Sequence, residues 1–459
     1  MDVLEKLRAL LGDQVVTDKD ILQEVSFDFG RLIQKMPSAV VIPQSAADVS
    51  QVLQVATDDG WPVATRGAAH SQSGQSLTQN GFLLDMTGLN GIGKVEGESV
   101  WVDSGVTWGD LVKEVMPLGL IPPVLTNNLN VTVGGTLSMA GLGVASHRYG
   151  TQADNVEALE VVTGAGDLVT CSSTENRDLF DCSRCGLGQF SVITRAKLKL
   201  RNCQPRVRTY YLLYDSIEAL MTDQTRVLSD LRFDFVEGWC SPCPQGLRRM
   251  GETKVPFAQW FYPAHLTIEY DKLPPCDSEL ADLNFYKKVY QEDSSLQDFV
   301  FRLEPVFQLW REGGTWSFPH PWMEVILPWE SAAGYIEGVL ANFPPNLLAG
   351  GHVLLWPCKG STTSVPLFMH PLGEMVMGFG ILPAIPRQFV RMAVPLLNRA
   401  SELAVQVGGK RYLSGWVEFD HARWKEHFGD KWSQILQWKR FFDPNGILNP
   451  GFIKYSEED

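Results

Sequence analysis

Basic residues are in short supply in this 459-residue chain, where 39 lysines and arginines face 53 aspartates and glutamates, a formal charge of −14. No long basic run offsets the excess, so phosphate backbones and anionic membranes are repelled and nucleic acid is a poor partner. Long apolar runs are also missing, and no stretch approaches the roughly 18–20 residues needed to span a bilayer. The opening MDVLEKLRALLGD interleaves charges with leucines as an amphipathic helix does. It lacks the basic start and apolar block of a secretion signal, so a cytoplasmic location is expected. Metal-ligand spacing is equally sparse. Eight cysteines include two C-x-x-C pairs, Cys182 with Cys185 and Cys240 with Cys243, but the pairs lie far apart along the chain and cytosolic thiols stay reduced. No metal is expected. The dinucleotide fingerprint is missing as well: Gly141-Leu-Gly143 and Gly186-Leu-Gly188 lack a third glycine, and Gly164-Ala-Gly166 sits in a turn between two strands. A nicotinamide enzyme is therefore disfavoured.

What is present is a folded chain, 44% hydrophobic and 20% charged, too long for one core to organise comfortably. We expect an α+β fold of two domains, with residues 1–203 first, 204–408 second, and 409–459 returning to the first. The segment Arg66 to Leu77, RGAAHSQSGQSL, joins two short apolar strands. Its small residues let backbone N–H groups converge on an anion, Arg66 offers a positive charge, and His70 is its one titratable ring. A second glycine-rich stretch, Thr126 to Gly143, places Gly134-Gly135 for close approach of backbone to a flat ring or pyrophosphate, with Thr136 as a helix cap.

Beyond Cys203 the texture changes, and 11 of the 14 tryptophans lie there, as a region gripping something large and flat requires. Strand and helix patterns repeat: strand 210–214, helix 216–231, strands 233–239 and 260–270, helix 278–292. The second round reads strand 323–327, helix 329–342, strands 352–356 and 374–382, helix 387–407. Two such units make one antiparallel sheet with helices on a single face.

Three motifs carry a resemblance to a known family. Arg66-Gly67-Ala68-Ala69-His70-Ser71 with Gly74-Gln75, the run Thr132-Val-Gly-Gly-Thr-Leu-Ser138, and Gly186-Leu-Gly-Gln-Phe190 leading to Ile193-Thr-Arg resemble the loops of cytokinin dehydrogenases. These are FAD enzymes of the vanillyl-alcohol oxidase/p-cresol methylhydroxylase superfamily. The tail from Trp424 to Gly451 and Phe318-Pro-His-Pro-Trp322 resemble further parts of that family.

The resemblance implies a two-domain vanillyl-alcohol oxidase fold, with a PCMH-type FAD domain and an antiparallel-sheet substrate domain. It implies FAD bonded covalently to His70, on a wall of Arg66, Gly67, Ala68, Ala69, Ser71, Gln75, Asn127, Thr132, Gly134, Gly135, Ser138, Leu142, Val192, Tyr412 and Asn449.

The sequence departs from the family at four places, one of them Asn449, which stands where the family has a serine. Ala69 stands where the family has glycine, which a negative φ accommodates. Phe452 replaces a glutamine. Leu125-Thr-Asn127-Asn128 stands where the family carries Trp-Thr-Asp-Tyr, whose aspartate is the base for the substrate amine, and an amide cannot take up that proton.

The expected activity is therefore oxidation of a C–H beside N or O in an aromatic or natural-product amine or alcohol, with oxygen or a quinone as acceptor. Asn127 orients the substrate, and Glu269, Glu418 or Tyr412 supplies the base, unless the substrate arrives deprotonated. True cytokinin dehydrogenation and a non-redox flavin role are the alternatives.

Overall fold

The structure is a computed structural model that describes residues 2–360 and 363–456. Its N-terminal half holds two four-stranded sheets. In the first, Ala39–Val41 and Val63–Arg66 run parallel on either side of Phe82–Asp85, and Val15–Val16 adds antiparallel at the edge. Neighbouring parallel strands cannot be joined by a tight turn, because the chain must first return to the starting end. The connection from Arg66 to Phe82 is consequently long, and it carries His70. The helix Ala46–Asp59 buries Val49, Val52, Leu53 and Ala56 in the core of this sheet, starts at the Ser45 cap and stops at Gly60 with φ 69.

The second sheet is antiparallel, in the order Ser99–Asp103, Ser191–Lys199, Val156–Thr163, Leu168–Ser172. The chain's end closes this half. The Asn449 N–H donates to the Val63 carbonyl (2.7 Å) and the Val63 N–H to that of Ile447 (2.8 Å), so the tail extends the first sheet as one more short rung.

Residues 206–411 build an eight-stranded antiparallel sheet. Across it lie Lys287–Ser295, Arg206–Tyr214, Thr253–Tyr270, Phe235–Met250, His352–Lys359, Met375–Leu382, Met323–Pro328 and Lys410–Arg411. The last strand falls beyond the expected break at 408. The expected helix over 278–292 is absent: the chain makes a 3-10 turn at Asp277–Leu280 and then the edge strand Lys287–Ser295. This segment is largely exposed along the sheet's edge, and its pairing with Arg206–Tyr214 overrides helix propensity. The hairpin strands Phe235–Met250 and Thr253–Tyr270 are also much longer than the short strands read from the sequence.

Period-two alternation gives this sheet two different faces. Met323, Val325, Leu327, Val353, Leu355, Met377, Phe379 and Ile381 pack with helices Ile217–Asp230, Trp329–Asn342 and Val390–Gln406. Their neighbours Glu324, Leu354, Trp356 and Leu382 face the other way and line a cavity against the N-terminal half. Gly378 and Gly380 make room there for the Trp356 ring, since a Cβ on either would lie 3.2–3.3 Å from it.

Candidate active site

The cavity encloses about 1660 Å³ of empty space, its open mouth included. Fifteen of the expected cofactor residues border it: Arg66, Gly67, Ala68, Ala69, His70, Ser71, Gln75, Asn127, Thr132, Gly134, Gly135, Ser138, Leu142, Val192 and Tyr412. Asn449 does not. It stands behind the wall, donating from Nδ2 to the Leu187 carbonyl (3.0 Å) and accepting from Gln189 (3.0 Å), which props up Leu187 and Gly188.

The loop around His70 is fixed from two sides. The Phe29 N–H donates to Ala69 (2.8 Å) and Gly30 to Ser71 (3.0 Å), while buried Asp28 accepts from the Gly74 N–H (2.7 Å) and the Ser71 hydroxyl (3.1 Å). Burial raises the Asp28 carboxyl to about 6. On the other side, Gln75 donates to the Leu413 carbonyl (3.0 Å) and Ser73 to that of Gly415 (3.1 Å).

Ala69 itself has φ 51, so the expected negative angle is not adopted. Its methyl group sits in the left-handed region, at a cost of roughly 1–2 kcal/mol that the surrounding hydrogen bonds must offset.

The His70 ring stacks on Phe29 (centroids 4.0 Å), whose opposite face stacks on His320 (3.9 Å), and the edge of Trp322 closes in at 5.4 Å. The Phe-Pro-His-Pro-Trp segment thus serves to clamp the histidine. Desolvation first, then the charges of His320 and Arg311, lower the His70 ring to about 3, leaving it neutral at neutral pH, and its Nε2 lies 3.5 Å from the Asn128 amide nitrogen. Arg66 borders the cavity, but its Nη1 donates to the carbonyls of Val25 and Phe27 (3.0 Å each), so this charge braces the chain instead of standing free for a phosphate.

Thr136 does not cap a helix. Thr132 is the N-cap residue of Val133–Leu137, and the Thr136 hydroxyl accepts from the Trp108 indole (2.8 Å). The two backbone stretches of this wall press together so closely that a Cβ on Gly67 would lie 2.1 Å from Thr132 Oγ1, and one on Gly134 2.7 Å from Ser104 Cβ. A wall this thin, built from main chain and small side chains, suits a long cofactor with a pyrophosphate and a flat ring, and FAD fits it.

The sequence-based candidates for the base separate. Asn127 borders the cavity with both ends of its amide engaged, Nδ2 donating to Glu237 (2.6 Å) and Oδ1 accepting from Arg302 (2.9 Å). Glu237 is buried, pairs with Arg302 (3.1 Å) and lies 3.7 Å from His265; these partners outweigh its burial and hold its carboxyl well below the usual range. Tyr412 borders the cavity, but burial drives its phenol far above neutral pH, and its oxygen accepts from the Gly141 N–H (3.1 Å).

Glu269 and Glu418 lie elsewhere. Glu269 forms a two-pronged pair with Arg201, and exposed Glu418 accepts from Asn398 (2.8 Å) beside a separate, smaller pocket. Phe452 is buried against Trp424 (5.4 Å) and does not border the cavity.

Sequence reading missed Glu237, Arg302, His352 and Glu324. A signal existed for both acids, since each interrupts an apolar strand, Phe235-Val-Glu-Gly-Trp and Met323-Glu-Val-Ile-Leu, where a carboxylate is costly unless used. Among the described residues no group of three or more His, Cys, Asp or Glu converges as a metal site. Cys182 and Cys185 are buried in one core, Cys240 in another, and Cys243 is exposed. No helix of the described residues is long and apolar enough to cross a membrane.

Comparison with known proteins agrees with this geometry. Residues 37–172 match the family model for an FAD binding domain, and residues 274–453 match that of "Cytokinin dehydrogenase 1, FAD and cytokinin binding". An oxidoreductase named ORF5 in the fasciation locus of Rhodococcoides fascians is 34% identical over 95% of this chain and 98% of its own length. Cytokinin dehydrogenase 6 of Oryza sativa subsp. japonica is 31% identical over 96% of this chain and 91% of its own. For cytokinin dehydrogenase 3 of Arabidopsis thaliana the figures are 29%, 95% and 89%. With a cavity walled by FAD-type loops and relatives that span nearly its full length, the chain belongs to the cytokinin dehydrogenase family of FAD-dependent oxidoreductases.

Proposed function

We propose that this oxidoreductase holds FAD covalently through His70 and oxidises a C–H bond beside N or O in a small aromatic or natural-product amine or alcohol, passing electrons on to oxygen or a quinone. FAD, when bound, supplies the two-electron acceptor. The observation that carries the reading is His70 itself: a neutral ring clamped between Phe29 and Trp322 on a cavity that Leu354, Trp356 and Leu382 also line.

The chain's residues have separable tasks in this reading. Backbone and small side chains from residues 66–71 and 132–141 hold the cofactor. The apolar face of the large sheet excludes water and presents flat surfaces to an aromatic substrate. Asn127, fixed by Glu237 and Arg302, offers orientation without a site for a proton.

The relatives' names point to cytokinins as substrates. An amide where the family carries its aspartate base argues against cleavage of cytokinin side chains by the family's route, and favours a different amine or alcohol. Two measurements test the whole. The protein should stay yellow after acid precipitation and gain the mass of FAD on the peptide bearing His70. Anaerobic mixing with substrate should then bleach the visible flavin absorbance. Colourless native protein would end the assignment, whereas colour lost on denaturation would end only the covalent link.

A further inference from the structure

With the amide of Asn127 fully engaged, the cavity still needs a group that accepts a proton, and its lining answers the need in one place. Among the described residues bordering it, Glu324 is the sole carboxylic acid. It lies on Met323–Pro328, on the face that period-two alternation turns away from the helices, and is only 6% exposed. Ser414 donates its hydroxyl to Glu324 Oε2, which leaves Oε1 for a ligand. The same segment that carries Ser414 is tied to the His70 loop, through Gln75 to Leu413 and Ser73 to Gly415. Glu324 and His70 are therefore set by one hydrogen-bonded unit.

We propose that Glu324 is the general base of this enzyme, receiving the N–H or O–H proton of the substrate. The inference rests on the oxidation proposed above. In that step the X–H bond breaks and its proton forms an O–H bond on the Glu324 carboxylate. The electron pair left on X becomes the second bond of C=X, and the C–H pair departs as a hydride equivalent to FAD, which is reduced. Charge and electrons balance with no further reactant.

The surroundings suit the task. Burial raises the carboxyl to about 7, against the lowering effects of the Ser414 hydroxyl and then of Arg411. A base whose pKa matches the operating pH is the most effective kind. The charged and titratable groups around it are Arg411, whose Nε donates to the Glu324 carbonyl (3.2 Å) and whose Nη1 is held by Ser401 (2.6 Å), and the Tyr412 phenol. From the adjoining strand its register partner is Gly380, which brings no charge. The other candidates at the cavity are weaker. Burial lowers His352 to about 4, Tyr412 stays protonated, and Glu237 lies behind Asn127, charge-paired with Arg302.

The test uses holoenzyme in wild-type form and as Glu324→Gln, Glu324→Asp and Ser414→Ala. An infrared titration should show a protonated carboxyl band that disappears with a midpoint near pH 7 in wild type, is missing in Glu324→Gln, and moves to higher pH in Ser414→Ala. Anaerobic flavin bleaching by benzylamine, benzyl alcohol and N6-isopentenyladenine should rise with pH through the same midpoint. Glu324→Gln should slow the reactive probe about 100-fold or more and lose that limb, and Glu324→Asp should restore part of the rate. A band that persists in Glu324→Gln, or a variant bleached at the wild-type rate with its pH limb intact, overturns the proposal. Should no probe bleach the wild type, the oxidation itself is in error, while the titration still decides whether Glu324 holds an exchangeable proton.

Discussion

The two walls of the cavity are built on opposite plans. The cofactor wall comes from contiguous stretches, residues 65–76, 131–142 and 187–193, in which backbone, glycine and serine dominate. The rest of the lining is assembled from single side chains scattered along the large sheet and the segments beside it: Trp322 and Glu324, His352, Leu354 and Trp356, Leu382, and Tyr412 with Ser414. A surface made of main chain recognises what all such cofactors share. One made of isolated side chains sets what is particular to this enzyme, because each can be exchanged without moving its neighbours. The division sets the small-residue loops apart from Glu324, which the large sheet brings to the same cavity.

Four substitutions break or sharpen this contrast, in descending order of effect. His70→Ala strikes the contiguous wall at the side chain proposed to carry FAD, and all flavin colour should leave the protein on acid precipitation; retention of an FAD mass on the peptide would show a different attachment point. Arg302→Met strands buried Glu237 and Asn127 without their cation, which should cost about 3–5 kcal/mol in denaturant unfolding. An unchanged midpoint would mean that water reaches the pair. In wild type, acidification through the carboxylate range should also weaken the fold at this site, since a depressed folded pKa gives stability above the unfolded value that is lost as pH falls.

Glu324→Gln should act with the opposite sign. A carboxyl raised from 4.5 to about 7 contributes stability that is full below its unfolded pKa and lost as pH rises through 7. Relative to the Gln variant, wild type should therefore lose about 3 kcal/mol between pH 4 and pH 8. Parallel stability curves for the two would show that the Glu324 pKa does not change on folding. The smallest effect belongs to Ala69→Gly, which relieves a left-handed alanine and should raise the unfolding midpoint by an amount equivalent to about 1 kcal/mol, leaving flavin attachment intact. A loss of stability there would mean the methyl contact outweighs the strain.

The amino-acid order by itself marked the small-residue stretches of one wall, because there the chemistry is local. Small residues adjacent in sequence stay adjacent in space, so Arg66 to Gln75 and Thr132 to Ser138 were readable as candidate cradles, while the full set of sixteen positions came from the family resemblance, and fifteen of them border the cavity. Most strands and helices were readable too, through periods of two and 3.6. The edge strand Lys287–Ser295 escaped because its partner lies far off in the chain, and sheet pairing, not local propensity, settles such segments.

The rest of the lining needed the tertiary structure. That Asn127 is bound by Glu237 and Arg302, that Glu269 and Glu418 point elsewhere, and that Glu324 is the acid left facing the cavity are outcomes of strands distant in sequence meeting in one sheet. A side chain's neighbours, and with them its proton affinity, are fixed only when that sheet closes over the cofactor loops.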